Sequence, residues 1–283
     1  MKKNFGTYIV MVTFIALSAM ILLGCEQDAD IEVPQSTPKL VVTCFISPED
    51  SLITVRLDKS RALFSNTNEP FDPANATVAI SNGITEVTVP YNQDQLLFEI
   101  DQASAFTIVP GANYKLKCSY PGLPLLLSQC TVPAERLTEI KLALDSSNAF
   151  EYLLKMNFQD LPGIKNYYRT FAFYNYTDTN YFGLGDTTYT EPMASDDNNL
   201  LNDVNNDGGQ YSTVFTYLPK GKGPDTLQAV ILTCSEEYYK FHYSLFTYGY
   251  DNPFSEASPI YSNIVNGLGV FAAYRKAEKK IAY

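Results

Sequence analysis

From about residue 40 onward the chain alternates apolar and polar positions with a period of two, in runs of five to eight residues broken by turn-forming pairs. "SLITVRLD", "ATVAISNGITEVTVP", "NYKLKCSY" and "LPLLLSQCTV" show the pattern, which is that of half-buried strands. In "ATVAISNGITEVTV" the Asn82-Gly83 pair falls between two alternating runs, the strongest short hairpin signal available. Six or seven such strands between Leu40 and about Pro133 predict an immunoglobulin-like sandwich over 40–134. "PGANYKL" places Tyr114 at the start of a late strand after a turn, the position of a tyrosine corner whose hydroxyl bonds backbone upstream.

"AERLTE" marks a junction, and a second β-rich, sandwich-like domain is expected over 138–283. Its strand signals are "IKLALD", "EYLLKMNF", "KNYYRTFAFYNYT", "STVFTYLP" and "LQAVILTC". The run from Lys165 to Tyr176 puts Tyr167, Phe171 and Phe173 on one face and Tyr168, Ala172, Tyr174 and Tyr176 on the other, so it should be covered on both sides. One helix is expected after Ser235, a good N-cap, with Glu236 and Glu237 at the positive end of the dipole. Aromatic residues surround "YYKFHYSLFTY" almost completely, which predicts a buried helix. The fold class read from these patterns is mainly β.

The first 39 residues follow different rules. Lys2 and Lys3 precede an apolar run from Tyr8 to Leu23, the layout of a secretory signal over 1–24. "LLGC" resembles the bacterial lipobox, which implies cleavage between Gly24 and Cys25 and diacylglycerol on the Cys25 thiol. Two acyl chains suffice for stable anchoring. The stretch 25–39 is polar, carries Pro34 and Pro38 and reads as a tether. Its acids Glu26, Asp28 and Asp30 resemble the export signals that carry lipoproteins of the Bacteroidota to the outer face of the outer membrane.

Composition narrows the partners. With 31 acidic against 20 basic residues the net charge is −11, and loss of Lys2 and Lys3 with the leader makes it more negative. Such a surface repels nucleic acid, and no basic cluster offsets it. With Cys25 assigned to the anchor, Cys44, Cys118, Cys130 and Cys234 remain. Cys118 and Cys130 flank the turn at "YPGLP", where a disulfide needs a bulge or a shifted register; four buried apolar thiols are the other reading.

Candidate chemistry is sparse. His242 is the single histidine, inside the aromatic helix, and no second histidine or Cys-x-x-Cys pair suggests zinc. In "DVNNDGG", Asp203, Asn205 and Asp207 followed by Gly208 match the first half of a calcium loop. The position that should hold a bidentate Glu is Val214, so an acid from elsewhere, such as Asp196 or Asp197, would have to complete the shell. The alternative is a solvated turn. Apart from calcium, no cofactor is expected.

The tail "NPFSEASPIYSNIVNGLGVFAAY" resembles the closing motif of a Bacteroidota lipoprotein family known as domain of unknown function 4249. Asn252, Pro253, Phe254, Glu256, Asn263, Ile264, Gly267, Gly269 and Phe271 carry the resemblance; Ala257 stands where the family commonly has Pro. "PKLVVTCFI", "PGANYKL", "DLPGIKNYY" and "SEEYYKF" agree with it along the chain. In physical terms Pro253 and the glycines set backbone geometry, Asn263 caps a turn, and Phe254 and Phe271 bury area. The resemblance implies a surface-anchored β protein associated with TonB-dependent receptors, with no established activity. The function expected is therefore a non-enzymatic accessory or binding subunit. A lipidated adhesin or fimbrial-type subunit is the alternative, and a glycan-active enzyme the third reading.

Overall fold

A computed structural model describes residues 11–14, 37–61, 70–148, 151–179, 186–195, 199–217, 225–248 and 259–282. Residues 11–14 are helical, and no helix among the described residues is long and apolar enough to cross a membrane.

The protein is mainly β. In the N-terminal half lie β1 (Leu40–Ile46), β2 (Leu52–Lys59), β3 (Thr77–Ser81), β4 (Glu86–Val89), β5 (Tyr91–Asn92), β6 (Leu97–Asp101), β7 (Asn113–Ser119) and β8 (Leu126–Thr131). There follow β9 (Lys141–Asn148), β10 (Glu151–Gln159), β11 (Tyr167–Thr179), β12 (Asp186–Pro192), β13 (Leu200–Asn202), β14 (Gln210–Tyr217) and β15 (Thr226–Cys234). Helix α1 (Glu236–Tyr248) and the long strand β16 (Gly267–Ala282) close the chain.

Local chemistry sets several of these boundaries. Gly83 takes φ +87 at the β3–β4 turn, and the Asn82 carboxamide accepts the N–H groups of Ile84 and Thr85, as the Asn-Gly signal predicts. Tyr114 is 1% exposed, and its hydroxyl accepts the Val109 N–H at 2.7 Å, closing the expected tyrosine corner.

One sheet runs through the whole body in the order β12-β11-β15-β16-β1-β2-β6-β5, with β13 also on β11. Two smaller sheets, β4-β3-β7-β8 and β14-β10-β9, pack on one face of it. The first core gathers Leu40, Val42, Val55, Ile80, Leu116 and Leu126; the second gathers Leu154, Met156, Tyr168, Phe215, Leu227 and Ile231. Two sandwiches result, as expected, but they are not separate domains meeting at residues 134–138. Residues 37–283 form one compact unit.

The reason is β16. Its first half, Gly267 to Ala273, pairs in parallel with β1, and its second half, Tyr274 to Ala282, pairs antiparallel with β15. Phe271 and Ala273 thereby join the first core and Ala277 the second. The last strand of the chain completes the first sandwich, a pairing that no local pattern announces. Gly269 makes the parallel approach feasible: at φ +104, a Cβ there would collide with the Val42 carbonyl oxygen.

Helix α1 lies on the opposite face of the large sheet, where Tyr238 packs with Val270, Ala272, Val230 and Leu232. Ser235 caps it, its Oγ accepting the Tyr238 N–H, while its own N–H donates to Ala273 O. The expectation of a buried helix is corrected. Tyr238 is its only buried residue, and Tyr243, Leu245, Phe246 and Tyr248 are exposed. A helix laid on a single sheet face has one packed side, however many aromatics surround it. Strand β11 is apolar on both faces as expected: Tyr168, Ala172 and Tyr174 enter the second core, while Tyr167, Phe171 and Phe173 belong to the helix side.

The Cys118–Cys130 disulfide is also corrected. All four described cysteines are free and buried. The β7–β8 register sets Cys118 opposite Leu126 and Cys130 opposite Tyr114, without the bulge that a bridge would need. Burial pushes these thiols up, Cys118 to about 12, which leaves them protonated and unreactive in the core.

Candidate functional site

The described residues bring one group of acids together: Asp160, Asp203 and Asp207. Asp160 directly follows β10, while Asp203 and Asp207 lie on the loop between β13 and β14. Sequence reasoning singled out Asp203 and Asp207 but missed Asp160, the first residue of "DLPGIKNYY". Strand pairing of β10 with β14 carries Asp160 to the loop, and the Asp160 N–H donates to Gly209 O at 2.8 Å.

Asp160 is 2% exposed and Asp203 is 5% exposed, whereas Asp207 is exposed. Two buried carboxylates this close need partners. Asp160 accepts the Tyr168 hydroxyl and the Gly208 N–H, the latter at 2.8 Å. Asp203 accepts the Asn166 N–H at 2.7 Å, and Asp207 accepts the Gly163 N–H at 2.8 Å. The three carboxylates thus tie the 160–166 segment to the 203–209 loop. Burial and the bond to Asp160 push the Tyr168 phenol upward, so it stays a hydrogen-bond donor.

The loop does not take the course of a twelve-residue calcium loop. Asn206 N–H donates to Asp203 O and Gly209 N–H to Asn206 O, two tight turns that return the chain to β14 at once. Asn205 is exposed, and Val214 is an exposed position of β14. The third carboxylate comes instead from Asp160.

That substitution matters chemically. Two oxygens bound to one calcium ion at about 2.4 Å can stand no more than about 4.8 Å apart. One oxygen from each of the three acids satisfies that limit, all lying within 4.8 Å of one another. A carboxylate has about four lone-pair sites, so the hydrogen bonds described leave acceptor capacity. Beside the acids is an open hollow of about 470 Å³ lined by Gly163, Ile164, Lys165, Asp203, Val204 and Asp207. Lys165 has its Nζ 3.5 Å from Glu236 and over the Tyr167 ring, so the helix start holds it.

The other expected positions divide between described and undescribed residues. Asn263 does more than cap a turn: its amide donates to Phe271 O at 2.7 Å and its Oδ1 accepts the Phe271 N–H at 3.0 Å. It stands in for a strand beside β16, while Ser128 Oγ donates to its carbonyl. Gly267, Gly269 and Phe271 lie on β16, with Phe271 fully buried. Gly24, Cys25, Glu26, Asp28, Asp30, Asp196, Asp197, Asn252, Pro253, Phe254 and Glu256 lie outside the described residues.

His242 has a structural setting. Its Nδ1 is 2.9 Å from Tyr238 O, its ring stacks on Tyr238, and Phe45 lies 5.2 Å from it. Burial, with the nearby Arg169 charge, lowers its pKa to about 4.

The family described as "Domain of unknown function (DUF4249)" matches residues 26–280. The chain belongs to the DUF4249 family. The match takes in both sandwiches and β16. No curated protein matches the chain. For DUF4249 the tail resemblance now has a physical content in this chain: Asn263, Gly267, Gly269 and Phe271 seat the last strand against β1.

Proposed function

We propose that the protein is a lipid-anchored accessory subunit on the outer face of the outer membrane, which binds a partner or ligand without transforming it and works beside a TonB-dependent receptor. The observation that carries this reading is "LLGCEQDADIE": a lipobox-like end to the apolar run, then acids, then a compact body beginning at Thr37. A tether of this length spans about 20 Å in the flexible regime, enough to lift the body off a bilayer. The rival fimbrial reading requires the first strand to leave. That strand, β1, is held between β2 and β16 and supplies Leu40, Val42, Cys44 and Ile46 to the core, which counts against it.

The test is Cys25→Ser in the full chain. Metabolic labelling with palmitate should mark the parent and not the variant, and added protease should reach the parent on intact cells. Affinity capture of the anchored parent should recover an outer-membrane β-barrel. Unchanged labelling in the variant would remove the anchor, and capture of no barrel would remove the receptor.

A second reading concerns calcium, favoured by the arrival of Asp160 beside Asp203 and Asp207. An ion held there would offset the repulsion among three carboxylates and stiffen the two loops they tie, a structural role.

A further inference from the structure

β12 is the last strand of the large sheet, and among the described residues its only ladder is with β11. Asp186, Thr187, Thr188, Tyr189 and Thr190 are all exposed, so among the described residues nothing covers either face of this edge. Natural edges are usually protected by charged side chains, lysine above all, by proline, by a bulge or by shortness, and here the acids Asp186 and Glu191 and Pro192 stand only toward the two ends of the strand. This one is seven residues long, has a regular register with β11 and contains no lysine.

The phase of the ladder is fixed by the Met193 N–H, which donates to Ala172 O at 2.8 Å. In an antiparallel pair, main-chain groups at alternate positions face the partner or turn away. Positions 187, 189 and 191 therefore face β11, and 186, 188, 190 and 192 present theirs to the free edge. Pro192 has no N–H to present there, so donors remain on Asp186, Thr188 and Thr190.

We propose that β12 is a self-association edge, which pairs antiparallel with β12 of a second copy about a twofold axis at Tyr189. In that register Thr188 lies opposite Thr190 of the second copy, and the reverse, so each pair exchanges two main-chain hydrogen bonds. Glu191 falls opposite Thr187, and Asp186 opposite Pro192, so no like charges face each other. The side chains match by face. Tyr189 would meet its counterpart, extending the Tyr176–Tyr189 ring pair, whose centroids are 5.3 Å apart at 22°. On the other face Thr188 and Thr190, already bonded to Thr177 and Asn175, would meet the same residues of the second copy. Seven residues of edge bury less than the roughly 800 Å² per partner of a stable complex. The contact is therefore transient in dilute solution and is strengthened when copies share a surface.

The test is cysteine crosslinking of the purified full chain in detergent micelles, with mild oxidant and rising protein concentration. Cys44, Cys118, Cys130 and Cys234 are buried, and the unsubstituted chain serves as the blank for Cys25. Tyr189→Cys should give a covalent dimer, because a directly opposed pair brings its Cβ atoms within disulfide reach. Thr187→Cys, equally exposed but opposite Glu191, should give far less. Adding Thr188→Pro to Tyr189→Cys removes an edge donor that the fold itself does not use, and should abolish the dimer while circular dichroism stays unchanged. The proposal is overturned if Tyr189→Cys dimerises no more than Thr187→Cys, or if Thr188→Pro leaves its dimer intact. It is also overturned if Tyr189→Cys crosslinks only to other proteins in whole cells.

Discussion

Glu49, on the turn after β1, and Arg275, in the middle of β16, stand 226 positions apart, and the guanidinium Nε donates to the carboxylate at 2.8 Å. The same carboxylate accepts the Lys276 N–H and the Ser47 hydroxyl, while neighbouring Asp50 accepts the Tyr274 hydroxyl. Residues 274–276 lie where β16 leaves β1 for β15. Two acids of one turn thus grip the point where the two sandwiches join. Arg136, from the linker between them, donates to Lys276 O.

Glu49→Ala should therefore destabilise the whole body, by about 2 kcal/mol, since the Arg275 side chain, only 12% exposed in the parent, loses its carboxylate partner. Chemical denaturation should show one transition moved to lower denaturant. Burial raises the Glu49 pKa, but the bonds from Arg275, Lys276 and Ser47 outweigh it and hold the carboxyl below its usual value. Its contribution is then present above the unfolded carboxylate pKa and lost as pH falls through the folded one. The parent and Glu49→Ala should converge in stability at low pH; an acid-independent difference would contradict this.

The tyrosine corner gives a smaller, cleaner effect. Tyr114→Phe keeps the buried ring and leaves the Val109 N–H without its acceptor, at a cost of about 1–2 kcal/mol. A variant with unchanged melting temperature would show that the bond is replaced by water.

Gly269→Ala should be far more damaging than its chemistry suggests, roughly 3 kcal/mol or more. It combines φ +104 with a Cβ against the Val42 carbonyl, so the β1–β16 ladder must open. Gly122→Ala has a comparable φ of +78 with open space around it and should cost less. Equal losses, read from denaturation curves, would place the cost in the dihedral angle alone.

His242 predicts an acid limb. Its unfolded pKa is near 6.5 and its folded pKa about 4, so the folded state binds fewer protons between those values. Stability should fall as pH drops from about 6.5 to 4, by roughly 2 kcal/mol after allowance for the partly exposed ring. Above 6.5 the imidazole is neutral in both states and adds no slope. His242→Phe should flatten the dependence in that window, with Arg169 and Tyr238 retained; an unaltered slope would assign it to other groups.

For the acid group, calcium should raise the melting temperature of the parent and a chelator should lower it, with Asp203→Asn removing the response. A heat of binding by calorimetry would accompany the shift. No heat at millimolar calcium would leave the carboxylates as hydrogen-bonded staples, and Asp160→Asn would then still destabilise through Gly208 and Tyr168.

Features that depend on neighbours along the chain were legible in the residues alone. Alternation placed the strands, Asn82-Gly83 set a hairpin, Tyr114 closed its corner and Ser235 started the helix, because each is decided within a few residues by dihedral preference or a local hydrogen bond. Tertiary structure decided the rest. The division of β16 between two partners, the free thiols, the half-exposed helix and the approach of Asp160 to Asp203 all depend on which strands lie side by side. Period-two alternation tells which face of a strand is buried and is silent about its neighbour, so pairings between distant segments become visible only once the sheet has formed.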